Sequence, residues 1–262
     1  MNIKVNKIWS EILISVNRKI LHFELIDIFL AEEFNPELTK KNVVVYNYSK
    51  VPGGNLFKEI TYQIDLEKDE SELLGNMSSG NRRKVRRAKK EPYVVIVKDN
   101  PTDQDLKEFQ QFNNNFVKIK KIKKIDYLQM RRLKLLRNKG VLVFTQLQNT
   151  DGQVLCYQIH LIDNNLVLNL YTCTAAWIQN RQDLKQQINF ANRHLLWENI
   201  LFFKKSGYKI YDFGGITEIS EINKFKEDFG FFGVETYHGL ETKSIIGKIL
   251  IKLHWRKIVY LF

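Results

Sequence analysis

Three apolar, β-branched runs separated by two tight-turn dipeptides constrain this chain more than any other feature. Val141–Leu147, Gln153–Ile162 and Leu166–Cys173 each read as a strand. Asp151-Gly152 and Asn164-Asn165 stand between them. Such dipeptides accept the left-handed backbone of a short hairpin turn, so the three strands pair as a meander. The pattern then changes. A long helix spans Ile188–Ser206 and closes at Ser206-Gly207, and a strand, Lys209–Phe213, runs into Gly214-Gly215. Antiparallel hairpins followed by a crossover helix and a further strand mean a mixed α/β sheet.

The flanking segments extend this order. Tyr93–Val97 reads as a strand, Asp103–Val117 as a helix and Ile125–Asn138 as a second helix that Gly140 ends. A short helix over Glu221–Asp228 and a last strand over Phe231–Tyr237 follow the double glycine. Upstream, Val43–Tyr48 and Thr61–Leu66 are strand-like, and Pro52-Gly53-Gly54 is a turn. Ser78-Ser79-Gly80-Asn81 starts a short basic helix that ends near Glu91-Pro92, because proline disfavours helix in the residue before it. The reading divides the chain into an N-terminal extension or partial first unit (1–77), a core (78–240) and a C-terminal basic amphipathic helix (241–262).

Charge adds a second constraint. The formal net charge is +12, yet residues 82–90 carry seven basic and no acidic residues, and residues 118–139 carry ten basic and one acidic. The remainder is mildly acidic, so the positive charge is concentrated in two segments. Concentrated positive charge points to an anionic partner: nucleic acid, a phosphorylated cofactor, a nucleotide-sugar or an acidic membrane surface. A solvated lysine-rich helix face is the plainer alternative. At 44% hydrophobic residues the chain has the apolar surface to build a core, which excludes a disordered tail.

Several chemistries lack their words. There is no GxGxxG after a strand and no GxxxxGK[ST], which argues against a dinucleotide-binding dehydrogenase or a P-loop nucleotidase. GxSxG and HExxH are missing too. Cys156 and Cys173 sit in apolar strand runs and read as buried small hydrophobes in a reducing compartment. No Cys/His spacing suits zinc, and no metal is expected. With no long apolar run and no secretory leader pattern at the N-terminus, the expected location is cytoplasmic.

The element order from residue 93 resembles the GNAT acyltransferase fold. The words Tyr211-Asp-Phe-Gly-Gly-Ile216 and Asn223-Lys-Phe-Lys-Glu-Asp-Phe-Gly230 are similar to the DxGG and FKxxFG signature of the Fem aminoacyltransferases and related acyltransferases. Residues 81–90 resemble the arginine-rich helix that precedes the core in those families, and 194–208 resemble their long helix ending in Gly-Tyr. The resemblance covers roughly residues 78–237. It implies a sheet that splays open to admit an activated acyl group, with acyl-CoA as the favoured cosubstrate and aminoacyl-tRNA as the alternative. One departure bears on the donor. Acetyl-CoA enzymes carry a glycine-containing pyrophosphate loop at the start of the long helix, and residues 181–186 here contain no glycine. Arg181 and Lys185 would have to meet phosphates through side chains.

Acyl transfer to an amine requires a lost proton, a polarised carbonyl and alignment of both. The resemblance assigns an important lysine to Lys226, which would polarise the oxyanion or contact phosphate; an exposed helix lysine is the alternative. Asp212, ahead of two glycines, is a candidate proton acceptor or a turn cap. Gly214 and Gly215 would let backbone approach a ligand or simply make the turn. His160 is a candidate base or a core histidine, and Tyr171 a hydrogen-bond donor to a leaving group or a packing residue. Arg82, Arg83, Arg86 and Arg87 suit phosphate.

The expected activity is N-acyl transfer to an amine on a sugar-nucleotide, glycan or cell-envelope precursor. The expected partners are that amine-bearing glycan or nucleotide-linked acceptor and, with the second donor, tRNA. Lys248, Lys252 and Arg256 lie opposite Ile246, Ile249, Leu250 and Leu253, as in a helix resting on an anionic membrane or packing on its own domain. Peripheral contact with the inner membrane face follows from the first option. A noncatalytic nucleic-acid-binding protein is the competing class, and it gives the DxGG and FKxxFG words no role.

Overall fold

The computed structural model describes residues 14–20, 23–40, 43–54, 56–120, 124–178, 182–249 and 252. In chain order the elements are β1 (Ile14–Ile20), β2 (Phe23–Phe29), β3 (Val43–Ser49), β4 (Phe57–Asp65), α1 (Glu70–Asn76), α2 (Ser79–Ala88) and β5 (Val94–Lys98). There follow α3 (Asp103–Lys120), α4 (Tyr127–Asn138), β6 (Leu142–Gln148), β7 (Val154–Ile162), β8 (Leu166–Thr174), α5 (Gln182–Lys205), β9 (Ile210–Gly215), α6 (Ser220–Asp228) and β10 (Phe232–Glu241). The expected mixed α/β class is borne out. Two compact units divide the chain: residues 62–232, and residues before 62 together with those after 232. Residues 62–77 belong to the larger unit.

In the larger unit the strand order is β9-β8-β7-β6-β5. The meander is antiparallel as expected: β6 meets β7 with Thr145 opposite Gln158, and β7 meets β8 with Ile159 opposite Tyr171. Gly152, in the first turn, has φ +74°, a conformation costly for any residue with a Cβ. After α5 the chain returns as β9, which pairs parallel to β8. One sheet face carries α5, whose Trp197, Ile200 and Phe203 pack with Val143, Val167 and Tyr211. The other carries α3, where the Phe109 ring meets Phe144, Tyr157 and Tyr171 edge-on. Burying a side chain such as Phe109 is worth about 1.5–3 kcal/mol.

Helix ends follow local chemistry. Asp69 and Asp126 each close a capping box, with Glu72 and Gln129 reaching back to the cap. The Ser78 hydroxyl accepts from Asn81 N and starts α2. The long helix begins at Gln182, six residues before the position its apolar pattern suggested, because its first turns are polar and exposed at Lys185 and Gln186.

In the smaller unit the order is β1-β2-β3-β10, followed by residues 57–61 of β4. The β1/β2 hairpin, absent from the sequence reading, is antiparallel, β2/β3 is parallel and β3/β10 is antiparallel. Ile26, Ile28, Val44 and Tyr46 form its core. Residues 245–249 are helical, with Ile245, Ile246 and Ile249 exposed. Most of the expected C-terminal helix, including Leu253 and Arg256, lies outside the described residues.

Candidate functional site

The parallel ladder between β8 and β9 is short. It holds only at Leu166 with Ile210, Val167 with Tyr211 and Leu168 with Asp212. Beyond Leu168, β8 carries a bulge: His160 pairs with Asn169 and Ile159 with Tyr171, which leaves Leu170 as the extra residue. A bulge takes its extra residue out of the ladder and turns the strand. Leu166–Asn169 are buried, whereas Leu170, Tyr171 and Thr172 are partly exposed. An opening therefore starts where β8 and β9 part, and backbone without a ladder partner lines it.

The two glycines of β9 and the lysine of α6 meet beside this opening. Gly214 has φ +82°, and its N–H donates to Asp212 Oδ1 at 2.8 Å. Asp212 Oδ2 accepts from Gln63 Nε2 at 2.9 Å. With 1% exposure and both oxygens engaged, Asp212 is the turn cap of its two readings, not a proton acceptor open to substrate. Lys226 is also buried, at 3% exposure. Its ammonium donates to the carbonyl oxygens of Gly214 (3.1 Å) and Gly215 (2.6 Å) and lies over the Tyr62 and Phe213 rings. This corrects the exposed-lysine alternative for Lys226, whose ammonium ties α6 to the end of β9. Tyr62 OH donates to Glu227 Oε1 at 2.9 Å and braces the same helix.

His160 is 0% exposed, in contact with Phe203, and its Nε2 lies 2.9 Å from Tyr211 OH. Burial pushes its pKa down to about 3, so the imidazole is neutral. The base reading is thereby corrected: no acceptor amine reaches it. Tyr211 OH also donates to Gln158 Oε1 and accepts from Asn169 Nδ2, and Asn199 Nδ2 reaches Gln158 Oε1 and Thr145 Oγ1. This network fixes the end of the β8/β9 ladder. Tyr171 is half-buried against Phe109 on the opposite face.

The basic helix α2 forms as expected. Arg83, Arg86 and Arg87 are exposed, Arg82 is half-buried with Nη1 3.4 Å from the Gly75 carbonyl, and Arg87 stacks on Phe190. Lys185 is exposed in the first turns of α5; Arg181 lies outside the described residues. Sequence reasoning missed Gln63, Tyr211, Asn169 and Arg193. Only Tyr211, inside the DxGG word, carried a signal. Cys156 and Cys173 are buried and free, as expected. Among the described residues no group of three or more His, Cys, Asp or Glu could hold a metal ion, and no helix is long and apolar enough to cross a membrane.

No family model matches the chain, and no curated protein matches its sequence. Solved structures do. FemX superposes with a TM-score of 0.63 at 12% identity, over 91% of this chain and 85% of that one. L-PGS from Bacillus licheniformis superposes with a TM-score of 0.55 at 12% identity, over 91% of this chain and 84% of that one. The likeness is one of fold: the chain has the Fem-like, GNAT-type N-acyltransferase fold.

Proposed function

We propose that the chain is an N-acyltransferase that moves an acyl group from an activated donor to an amine. The observation that carries this reading is the opening at Leu170, where β8 is bulged and freed from β9. An acyl carbonyl lying along that edge would meet backbone N–H groups. Such donors stabilise the developing oxyanion, each typically worth about 10²–10³ in rate. The amine nitrogen attacks the carbonyl carbon, the C–N bond forms, and the bond to the donor's leaving group breaks. The amine's proton ends on that leaving group or on solvent. Tyr171, half-buried just past the bulge, would hydrogen-bond the leaving group. Lys226, Asp212 and Tyr211 act as positioning residues that hold β9.

Acyl-CoA is the first donor in this reading, with Lys185 as a phosphate contact and an amine-bearing glycan or nucleotide-linked sugar as acceptor. Aminoacyl-tRNA is the second donor, favoured by the lack of glycine in 181–186 and by the exposed arginines of α2. A lipid-linked acceptor would suit a cytoplasmic protein touching the membrane through Ile245, Ile246 and Ile249, with Lys243, Lys248 and Lys252 among them.

The test incubates the protein with radiolabelled acetyl-CoA or with charged tRNA and a nucleotide-linked amino sugar. Amide-linked label on the acceptor is expected from one donor, reduced at least about tenfold in Tyr171→Phe. No transfer from either donor would overturn the proposal.

A further inference from the structure

Arg193 lies near the middle of α5. Its Nε donates to Asn81 Oδ1 at 2.9 Å, and its Nη1 donates to the Asn189 carbonyl at 3.2 Å and to the Asn189 side-chain oxygen. The guanidinium also stacks on the Phe225 ring, 5.0 Å from its centre. Residues of α2, α5 and α6 therefore fix it in one orientation. All of these partners are neutral. Its Nη2 has no hydrogen-bond partner among the described residues.

Lys84 stands three residues after Asn81, on the same face of α2. Arg193 is the charge that acts most strongly on it, and the Lys84 ammonium gives up its proton more readily than a free lysine; burial and Arg83 act in the same sense. Asp228 acts in the opposite sense on both cations, and it lies 3.7 Å from Lys224. Among the described residues neither Lys84 nor Arg193 forms an ion pair with a carboxylate. Other partly buried cations of the same unit do: Lys98 pairs with Asp105 and Arg137 with Asp103. A fold that brings two like charges together, ties one of them down with amides and leaves Asp228 bonded to neither favours a further anion beside them.

We propose that Lys84 and Arg193, with Arg83 at the rim, form a binding site for a phosphate group. The free edge of a fixed guanidinium and a neighbouring ammonium match two oxygens of one phosphate, or one oxygen each of a pyrophosphate. The site is separate from the 181–186 segment, since Arg193 lies about two helical turns beyond Gln186. It goes beyond the transferase reading and needs only that the protein handle a phosphate-bearing molecule, whether a nucleotide cosubstrate or a polynucleotide.

Isothermal titration with pyrophosphate at low salt tests it without any turnover, so it can fail while acyl transfer succeeds, or the reverse. Lys84→Ala and Arg193→Lys are each expected to weaken binding about tenfold or more. Lys84→Arg should stay within about threefold of the parent, and Lys107→Ala, on exposed α3, should match it. Should Arg193→Lys fail to fold, Lys84→Ala carries the test. Competition by adenosine 3′,5′-bisphosphate would indicate a nucleotide, and competition by an eight-residue oligoribonucleotide a polynucleotide. No pyrophosphate binding, or equal weakening by Lys84→Ala and Lys107→Ala, would overturn the proposal.

Discussion

The Lys226 ammonium donates to the Gly215 carbonyl at 2.6 Å, and this bond ties α6 back onto the end of β9. With the Gly214 carbonyl as a further acceptor, one buried cation meets two carbonyl dipoles at the end of β9, beyond its ladder with β8. Removing it strands those oxygens. Lys226→Met should lower unfolding free energy by about 1–3 kcal/mol, and Lys226→Arg by less. Urea denaturation followed by circular dichroism checks both. An unchanged midpoint in Lys226→Met would remove the clamp from the account.

Gly214 is a separate test of the same turn. At φ +82° a Cβ meets the adjacent carbonyl, which costs about 1–2 kcal/mol. Gly214→Ala is expected to destabilise by that amount in the same assay, even though no charge changes.

Tyr211→Phe removes a hydroxyl bonded to His160, Asn169 and Gln158 inside the core. The aromatic ring is kept, so packing survives while polar partners are left unmet. A loss of about 1–3 kcal/mol is expected. In the opening, Asn169 and Thr172 also lose an anchor, since Asn169 Nδ2 bonds both Tyr211 OH and Thr172 Oγ1.

Three buried histidines set the pH response. Burial brings His160 down to about 3 and His194 and His238 down to about 4. The unfolded chain binds protons on these rings near pH 6.5, and the folded chain does not. Their effect on stability is therefore neutral above about pH 6.5 and grows unfavourable as pH falls toward 4 and 3. Glu198, raised by burial, opposes this in part. Urea midpoints should fall steadily from pH 6.5 to 4.5, and proton NMR should show these three rings not titrating between pH 8 and 5. A ring that titrates near 6.5 would contradict its burial.

The thiols of Cys156 and Cys173 are pushed well up by burial. Native protein should show no reaction with a colourless disulfide reagent over minutes at pH 8, and two thiols should react in denaturant. Fast reaction in the folded state would mean that β7 and β8 open locally.

The meander was readable because hairpin turns are local: Asp151-Gly152 and Asn164-Asn165 carry their own backbone preference. The β1/β2 hairpin was not. Its strands are seven residues each and mix Asn, Arg, Lys, Glu and Asp into the apolar pattern, and Asp27, although a polar residue, is buried. The polar first turns of α5 hid its start for the same reason. Among the candidate residues, type and position along the chain left Asp212 as base or turn cap and His160 as base or core histidine, and burial favours the second reading of each.

Sequence alone determined the element order from Tyr93 onward, the β6–β8 meander and the Asp-Phe-Gly-Gly segment, because each depends on neighbours a few residues apart. Tertiary structure decided which ionisable groups a ligand can reach. Gln63 caps Asp212 from 149 residues away and Asn81 holds Arg193 from 112 residues away. Burial and hydrogen-bond partners are set by such long-range contacts, and they bury Asp212, His160 and Lys226 while leaving Lys84 and Arg193 without a carboxylate in ion-pair contact.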